Sequence, residues 1–175
     1  VANYYGNNVS LLIGDGTGNF SAPANFPVGI LPYAITAGDF NGDNVLDLAT
    51  PNSGSNDVSL LIGDGNGNFS VPTNFPVTIH PTSITTGDFN GDNILDLATT
   101  DSDSDNVSIL IGDGNSNFSA ASHFFVGNGP HGIVVGDFNG DDVLDLATAN
   151  LFSNNVSILI GDGNGNLSVP TNFSV

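Results

Sequence analysis

The hydrophobic positions of this chain recur with a period of 49 residues. Valine opens the segment VSLLIGDG or VSILIGDG at Val9, Val58, Val107 and Val156, and phenylalanine keeps the same step at Phe26, Phe75, Phe124 and Phe173. Clusters of Gly, Asp, Asn and Pro, which form turns, separate the short apolar runs. Apolar runs of this length, divided by turns at a fixed spacing, predict a repeat protein made of β-strands.

Each period predicts four strands. The first and second are exemplified by residues 82–89 and 94–100, and the third and fourth by residues 57–63 and 68–77 of the preceding repeat. The sequence Gly-Asp-Gly-Asn-Gly joins the third strand to the fourth and is typical of a hairpin. Pro72 and Pro76 place the fourth strand at a sheet edge, because proline cannot donate to a β-ladder. Four antiparallel strands in 40–50 residues are typical of a β-propeller blade, and the chain holds about three and a half to four. A β-sandwich is the alternative, although sandwiches rarely repeat one sequence so regularly.

The composition supports an all-β protein and excludes several partners. The 175 residues contain no Lys, Arg, Met or Cys, and all 18 acidic residues are Asp, so most good helix formers are missing. The net charge of −18 repels phosphate backbones and anionic headgroups, so we expect no nucleic acid partner. No apolar run approaches the roughly 18 residues of a membrane span, so we expect no membrane insertion.

The segment GDFNGDNVLDLA at 38–49 and its copies at 87–98 and 136–147 carry the candidate chemistry. Counted from the first Asp, oxygen donors stand at positions 1, 3, 5 and 9, and the carbonyl at position 7 can close the shell. About six or seven oxygen ligands suit Ca²⁺ better than Mg²⁺, and no His or Cys lies in the loop to bind a transition metal. The three predicted sites are Asp39, Asn41, Asp43, Val45 and Asp47; Asp88, Asn90, Asp92, Ile94 and Asp96; and Asp137, Asn139, Asp141, Val143 and Asp145.

The alternative for these loops is a set of Asx-rich turns without metal. We expect converging carboxylates to raise one another's pKa and to destabilise the fold at neutral pH unless a cation offsets them. The backbone also suits a tight loop, since position 6 holds Asn44, Asn93 or Asp142, which tolerate the left-handed region, and position 4 is glycine.

These three segments resemble the FG-GAP or VCBS repeats of integrin α-chain-type β-propellers. The resemblance covers the whole chain and implies a Ca²⁺ loop between the first two strands of each blade, with about three ions in all. The chain departs from the family at position 6, where glycine is frequent. Family propellers usually have seven blades, about twice the number here.

Other polar residues are weaker candidates. The GDGNGN turns at Asp64, Asp113 and Asp162 lack a closing carboxylate and are interpreted as plain hairpin turns. Asn-x-Ser sequons, which would make the chain a glycoprotein if modified, occur at Asn8, Asn19, Asn68, Asn106, Asn117, Asn155, Asn166 and Asn172. Four of these only repeat one turn position. His80, His123 and His131 fall at different phases and predict no catalytic constellation, so we expect no enzyme.

Aromatic and aliphatic residues distinguish core from loops. Ten of the twelve phenylalanines keep repeat-locked positions, which predicts that they are core. Tyr4, Tyr5, Leu151 and Phe152 fall in the variable loop between the second and third strands, where they could contact a partner or a sugar or represent tolerated drift.

The domain prediction is a single repeat domain over 1–175, with a partial blade at 1–28 and repeats at 29–77, 78–126 and 127–175. We expect this unit to belong to a longer array, and to associate with neighbouring repeats or chains. The functional expectation is an extracellular, calcium-binding structural or adhesive protein of a surface filament or matrix. A carbohydrate-binding lectin and an integrin-like protein-binding head are the alternatives.

Overall fold

The computed structural model describes all residues, 1–175, as fifteen short strands. They are β1 Ala2–Asn3, β2 Asn8–Leu11, β3 Ala24–Pro27, β4 Thr36–Gly38, β5 Asp47–Asn52, β6 Asp57–Leu61, β7 Thr73–Pro76, β8 Pro81–Gly87, β9 Asp96–Asp101, β10 Asn106–Leu110, β11 Ser122–Phe125, β12 Pro130–Gly136, β13 Asp145–Asn150, β14 Asn155–Leu159 and β15 Thr171–Ser174. Two single-turn 3₁₀ helices, Tyr4–Gly6 and Ser102–Ser104, are the only helical segments. Neither could cross a bilayer.

The strands form four antiparallel sheets in which chain neighbours pair. The first sheet, blade 1, has three strands, in the order β1-β2-β3. Blades 2, 3 and 4 have four strands each, beginning at β4, β8 and β12. Blade 1 therefore contains the equivalents of the second, third and fourth strands. The predicted all-β architecture of propeller-type blades is confirmed.

The sequence period is also a period of strand register. Val58 lies opposite Phe75 between β6 and β7, and the equivalent valines and phenylalanines pair in the other blades. The fourth strand is shorter than the predicted 68–77, since only Thr73–Pro76 is continuous strand. The Ser70 hydroxyl accepts the N–H of Ile62 at 3.0 Å and so replaces part of the backbone ladder before β7 begins. β7 is an edge strand, as its prolines predict.

The hydrophobic core lies between neighbouring blades. One cluster joins blade 2 residues such as Leu60 to blade 3 residues such as Leu110, and a second joins Val107 of blade 3 to Leu146 of blade 4. The expectation that the repeated phenylalanines are all core is therefore wrong for the outer blades. Phe40 and Phe89 are 2% and 3% exposed, whereas Phe138 at the same repeat position of blade 4 is 47% exposed. The aromatic ring is buried only where another blade covers it.

Candidate metal centre

Each Asp loop connects the first strand of a blade to the second, as the resemblance implies. The loop of blade 2 leaves β4 at Gly38 and enters β5 at Asp47. The copies connect β8 to β9 and β12 to β13. The five predicted ligand positions of each site therefore lie within one tight loop at the same end of every four-stranded blade.

The aspartate at position 9 is buried and holds the loop to the rest of its blade. Asp47, Asp96 and Asp145 are completely buried. In blade 2, one Asp47 oxygen accepts the Phe40 N–H at 3.0 Å, and the other accepts the Gly63 N–H, from the hairpin between the third and fourth strands, at 2.9 Å. Blades 3 and 4 repeat both hydrogen bonds. This carboxylate thus joins its own loop to a hairpin whose N–H donor lies 16 residues further along the chain.

The aspartate at position 1 accepts hydrogen bonds from the loop backbone. Asp39 Oδ1 accepts the N–H groups of Asn41, Gly42 and Asp43, and its Oδ2 accepts that of Asn44 at 2.8 Å. Asp137 accepts the equivalent four N–H groups in blade 4. The loop is therefore wound around its first carboxylate.

Positions 3 and 5 contact each other. The Asn41 side-chain amide donates to Asp43 Oδ2 at 2.9 Å, and its Oδ1 accepts the Asp43 N–H at 3.0 Å. Asp43 Oδ1 accepts the N–H of Val45 at 2.8 Å. These are the hydrogen bonds of successive Asx turns, which the alternative interpretation of the loop also predicts.

The predicted backbone freedom of the loop is confirmed. Asn44, Asn93 and Asp142 have φ angles of 63°, 65° and 64°. These lie in the left-handed region, which Asn and Asp tolerate better than most side chains. The glycines at position 4 also have positive φ.

The prediction that the clustered carboxylates raise one another's pKa is correct for only part of the set. Burial raises the pKa of Asp47, and the nearby charges of Asp43 and Asp39 add to the effect. Burial likewise raises the pKa of Asp96. Burial also acts to raise the pKa of Asp39, but the backbone N–H groups together outweigh it and hold that pKa below its ordinary value. Backbone N–H groups therefore stabilise part of the negative charge for which the sequence analysis required a cation.

The donor chemistry fits a hard cation, but the carboxylates do not converge on one point. No group of three or more His, Cys, Asp or Glu side chains is drawn together in a metal-binding arrangement. The predicted donors at each loop are nevertheless all oxygen atoms, which suits Ca²⁺. The carboxylates at positions 1 and 5 also lie close enough to that at position 9 to raise its pKa in blades 2 and 3.

The Asp loop of one blade also contacts the hairpin of the next. Ser116, in the hairpin of blade 3, donates its N–H to the Phe40 carbonyl at 3.2 Å, and Gly165 of blade 4 donates to Phe89 at 2.9 Å. Each of these loops lies between its own blade's hairpin and that of the following blade. An ion held there would act on both blades.

The GDGNGN segments are hairpin turns, as predicted. Gly63 bridges Phe69, and Asp64 accepts the N–H groups of Asn66 and Asn68. The Asn68 side-chain amide also donates to Asp64 at 2.8 Å, and this bond is the largest cause that lowers the pKa of Asp64. The repeated Asn of four sequons therefore has a structural use in the turn.

The sequence did not predict a polar triad that occurs in blades 1, 2 and 4. In blade 2, the Asn52 amide donates to Ser59 at 2.9 Å, and Ser59 donates to Asn74 at 2.8 Å. Blades 1 and 4 have the same Asn-Ser-Asn triad, as Asn3, Ser10 and Asn25 and as Asn150, Ser157 and Asn172. The period itself could have revealed it, because all three positions repeat every 49 residues.

Blade 3 replaces this triad with Asp101, Ser108 and His123. Ser108 donates to Asp101 and lies 2.9 Å from His123 Nδ1, so a histidine contacts a hydroxyl that is itself bound to a carboxylate. The serine stands between the other two and is completely buried. A catalytic triad instead requires the histidine in the middle, next to an accessible nucleophile.

A family-model comparison matches residues 1–50, 47–99 and 88–148 to the FG-GAP-like repeat. Since the matches cover most of the chain, this protein belongs to the FG-GAP-like repeat family. No curated protein matches it.

Solved structures support the fold. A functionally unknown protein from Desulfotomaculum acetoxidans DSM 771 is 16% identical with a TM-score of 0.72, over 95% of this chain and 49% of its own. BBS1N, solved in complex with ARL6DN, is also 16% identical with a TM-score of 0.61, over 100% of this chain and 58% of its own. This chain therefore spans about half the length of these neighbours.

Proposed function

We propose that this protein is a non-enzymatic, extracellular structural repeat protein whose blades are stiffened by calcium. The observation that carries the proposal is the Asp loop, repeated in register in three blades of a chain without Lys or Arg. In every copy its ninth residue is a fully buried aspartate. Asp47, Asp96 and Asp145 tie each loop to a hairpin, so an ion at the loop would rigidify two elements at once.

In blade 2 the ion would be held by Asp39, Asn41, Asp43 and Asp47 and by the carbonyl of Val45. Binding would exchange the hydrogen bond between Asn41 and Asp43 for coordination, since both side chains are donors in the proposed shell. Because the unfolded chain does not preform such a site, the binding free energy would contribute to folding.

Thermal unfolding with Ca²⁺ and after chelation tests this proposal. We expect chelation to lower the melting temperature by more than about 10 °C, since several kcal/mol of binding free energy shift a domain of this size by that amount. Calorimetric titration should give about three Ca²⁺ per chain, with Mg²⁺ much weaker.

Two variants with equal charge separate coordination from general screening. Asp43→Asn, Asp92→Asn and Asp141→Asn together remove one carboxylate from every Asp loop. Asp64→Asn, Asp113→Asn and Asp162→Asn together remove the same charge from the hairpins. Only the first variant should lose the calcium-dependent stabilisation. An equal loss of calcium-dependent stabilisation in both variants would refute the calcium proposal. A wild-type melting temperature that is unchanged by chelation would also refute it.

Self-association is part of the proposed structural role. On blade 4, Ala149 is exposed and Val156 is only partly buried, whereas Thr100 and Val107 at the same positions of blade 3 are completely buried. A following blade covers this sheet surface on blades 2 and 3, so the same surface on blade 4 would accept a copy of this chain. Light scattering over a range of protein concentrations should show association, and a compact monomer at all concentrations would contradict it.

A protein-binding role is the second candidate. The support for it is that BBS1N, which has a similar fold, was solved in complex with ARL6DN.

A further inference from the structure

All three tyrosines of the chain lie together with one histidine. The rings of Tyr4 and Tyr5 meet edge to face with centroids 4.9 Å apart, and Tyr4 meets Tyr33 at 5.7 Å and 88°. His131 lies 6.2 Å beyond Tyr33. We propose that this tyrosine cluster, Tyr4, Tyr5, Tyr33 and His131, binds an organic cation of the alkylammonium class.

The cluster is not a product of the repeat. The position of Tyr33 holds Thr82 in blade 3 and His131 in blade 4, so the blade does not need an aromatic ring there. Tyr4 and Tyr5 correspond to Ser53 and Gly54 in blade 2. The tyrosines thus depart from the repeat at positions that are far apart in sequence but adjacent in space.

The cluster is accessible and its polar groups are available. Tyr5 is 89% exposed and Tyr33 is 46% exposed. None of the three phenolic hydroxyls takes part in a hydrogen bond within the protein. Tyr4 and Tyr33 line a wide-open surface depression of about 360 Å³.

The cluster lies at the opposite end of the blades from the Asp loops. Tyr4 and Tyr5 belong to the loop between the second and third strands, and Tyr33 precedes β4, where its N–H donates to the Pro51 carbonyl. The same end carries the aspartate-rich segment DSDSD at 101–105. His131 connects the cluster to this segment, since its Nε2 lies 3.5 Å from the Ser102 hydroxyl.

Charge decides the chemical class of the ligand. Tyrosine faces attract cations within about 6 Å, and quaternary ammonium groups are frequent ligands of such sites. The chain has a net charge of −18 and no Lys or Arg of its own to occupy the rings. The field of the molecule therefore concentrates cations and repels carboxylates and phosphates. A neutral sugar could stack on the same rings, but it would gain nothing from the charge.

A titration with choline chloride, at a fixed saturating Ca²⁺ concentration, tests the site. The choline methyl protons should shift upfield because of the ring currents, and tyrosine fluorescence should change along the same saturation curve. The chain has no Trp, so this emission comes from the tyrosine cluster alone. The neutral isostere 3,3-dimethylbutan-1-ol should bind at least about tenfold more weakly, because it keeps the shape and loses the cation–π attraction and the field.

Substitution identifies the rings that bind. Tyr33→Leu should weaken choline binding at least about fivefold, which corresponds to the loss of one cation–π contact. Phe152→Leu, an exposed aromatic in the equivalent loop of blade 4, is the matched control and should leave the affinity unchanged. Both changes are at exposed side chains, and a melting curve would verify that each variant is folded.

Three results would overturn the proposal: no saturable shift with choline, equal binding of the neutral isostere, or equal loss in both variants. A saturable response to a methyl glycoside without one to choline would assign the tyrosine cluster to sugars instead.

Discussion

At the scale of single residues, backbone N–H groups donate hydrogen bonds to carboxylates that have no Lys or Arg to pair with. Asp39 accepts four of them, and buried Asp47 accepts one from its own loop and one from a hairpin. The spacing of Asp and Asn identified the loop and its left-handed sixth position. It could not identify the Gly63 donor, because that contact depends on how the third strand pairs with the second. It also missed the blade 3 triad, whose members meet only through strand pairing.

Asp101 provides a prediction about pH. Burial raises its pKa above the ordinary value, although the hydroxyls of Ser108, Thr78 and Thr99 act against this. A raised folded-state pKa means that the protein is most stable with Asp101 protonated and loses that stability as pH rises through the raised pKa. Asp101→Asn, which restores the residue of the other three blades, should therefore raise the unfolding free energy by about 1–2 kcal/mol at pH 7.

The gain should shrink as pH falls and disappear below about pH 4, where wild-type Asp101 is protonated in both states. Urea unfolding at several pH values measures it. Asp103→Asn, at an exposed neighbour, is the control and should change little. A less stable Asp101→Asn variant at pH 7 would mean that His123 and the three hydroxyls require the carboxylate.

At the scale of elements, the Asp loop and the hairpin fit together closely. The order of four antiparallel strands in each blade followed from the 49-residue period, because one blade repeats the contacts of another. The first residue of β7 could not be predicted from the period, because the Ser70 hydroxyl replaces a backbone acceptor just before the strand begins. The tight approach between loop and hairpin could not be predicted from the sequence, although it explains the glycine that begins the hairpins of blades 2, 3 and 4.

The glycine at this hairpin position should be replaceable only where no Asp loop faces it. A Cβ at Gly112 would collide with the Leu95 carbonyl oxygen, whereas a Cβ at Gly14, the same position in blade 1, would lie 3.6 Å from the Phe20 ring. Gly112→Ala should lower the unfolding free energy by about 1–3 kcal/mol. Gly14→Ala, the matched control, should change it by less than about 0.5 kcal/mol. Chemical denaturation measures both, and equal effects would contradict the proposed contact.

At the scale of the whole molecule, 18 carboxylates share a fold with no Lys or Arg. Only one histidine nitrogen lies within 4 Å of a side-chain carboxylate, since His80 Nδ1 is 3.3 Å from Asp103. The charge leads to an expectation about partners, but it carries no information about which blades are covered. That depends on the packing of blade against blade.

Monovalent salt should stabilise this protein. Self-repulsion opposes the compact state, and raising NaCl from about 10 mM to about 150 mM shortens the screening length from about 30 Å to about 8 Å. After chelation of Ca²⁺, when salt cannot act by weakening ion binding, the melting temperature should therefore rise. The rise should be smaller in the hairpin variant with Asp64, Asp113 and Asp162 changed to Asn, which carries less charge. A melting temperature that falls with salt would show that repulsion among the carboxylates does not dominate the effect of salt on stability.

The repeated phenylalanines differ in burial, and this difference makes the protein suitable for a comparison of equivalent residues. Phe40, Phe89 and Phe138 share one motif, yet the first two are enclosed and the third is half open to water. The molecule thus presents the same short peptide in different surroundings within a single polypeptide. A substitution scan of the three copies would separate the effect of the motif itself on stability from the effect of the surrounding residues. Each copy would serve as an internal reference for the others.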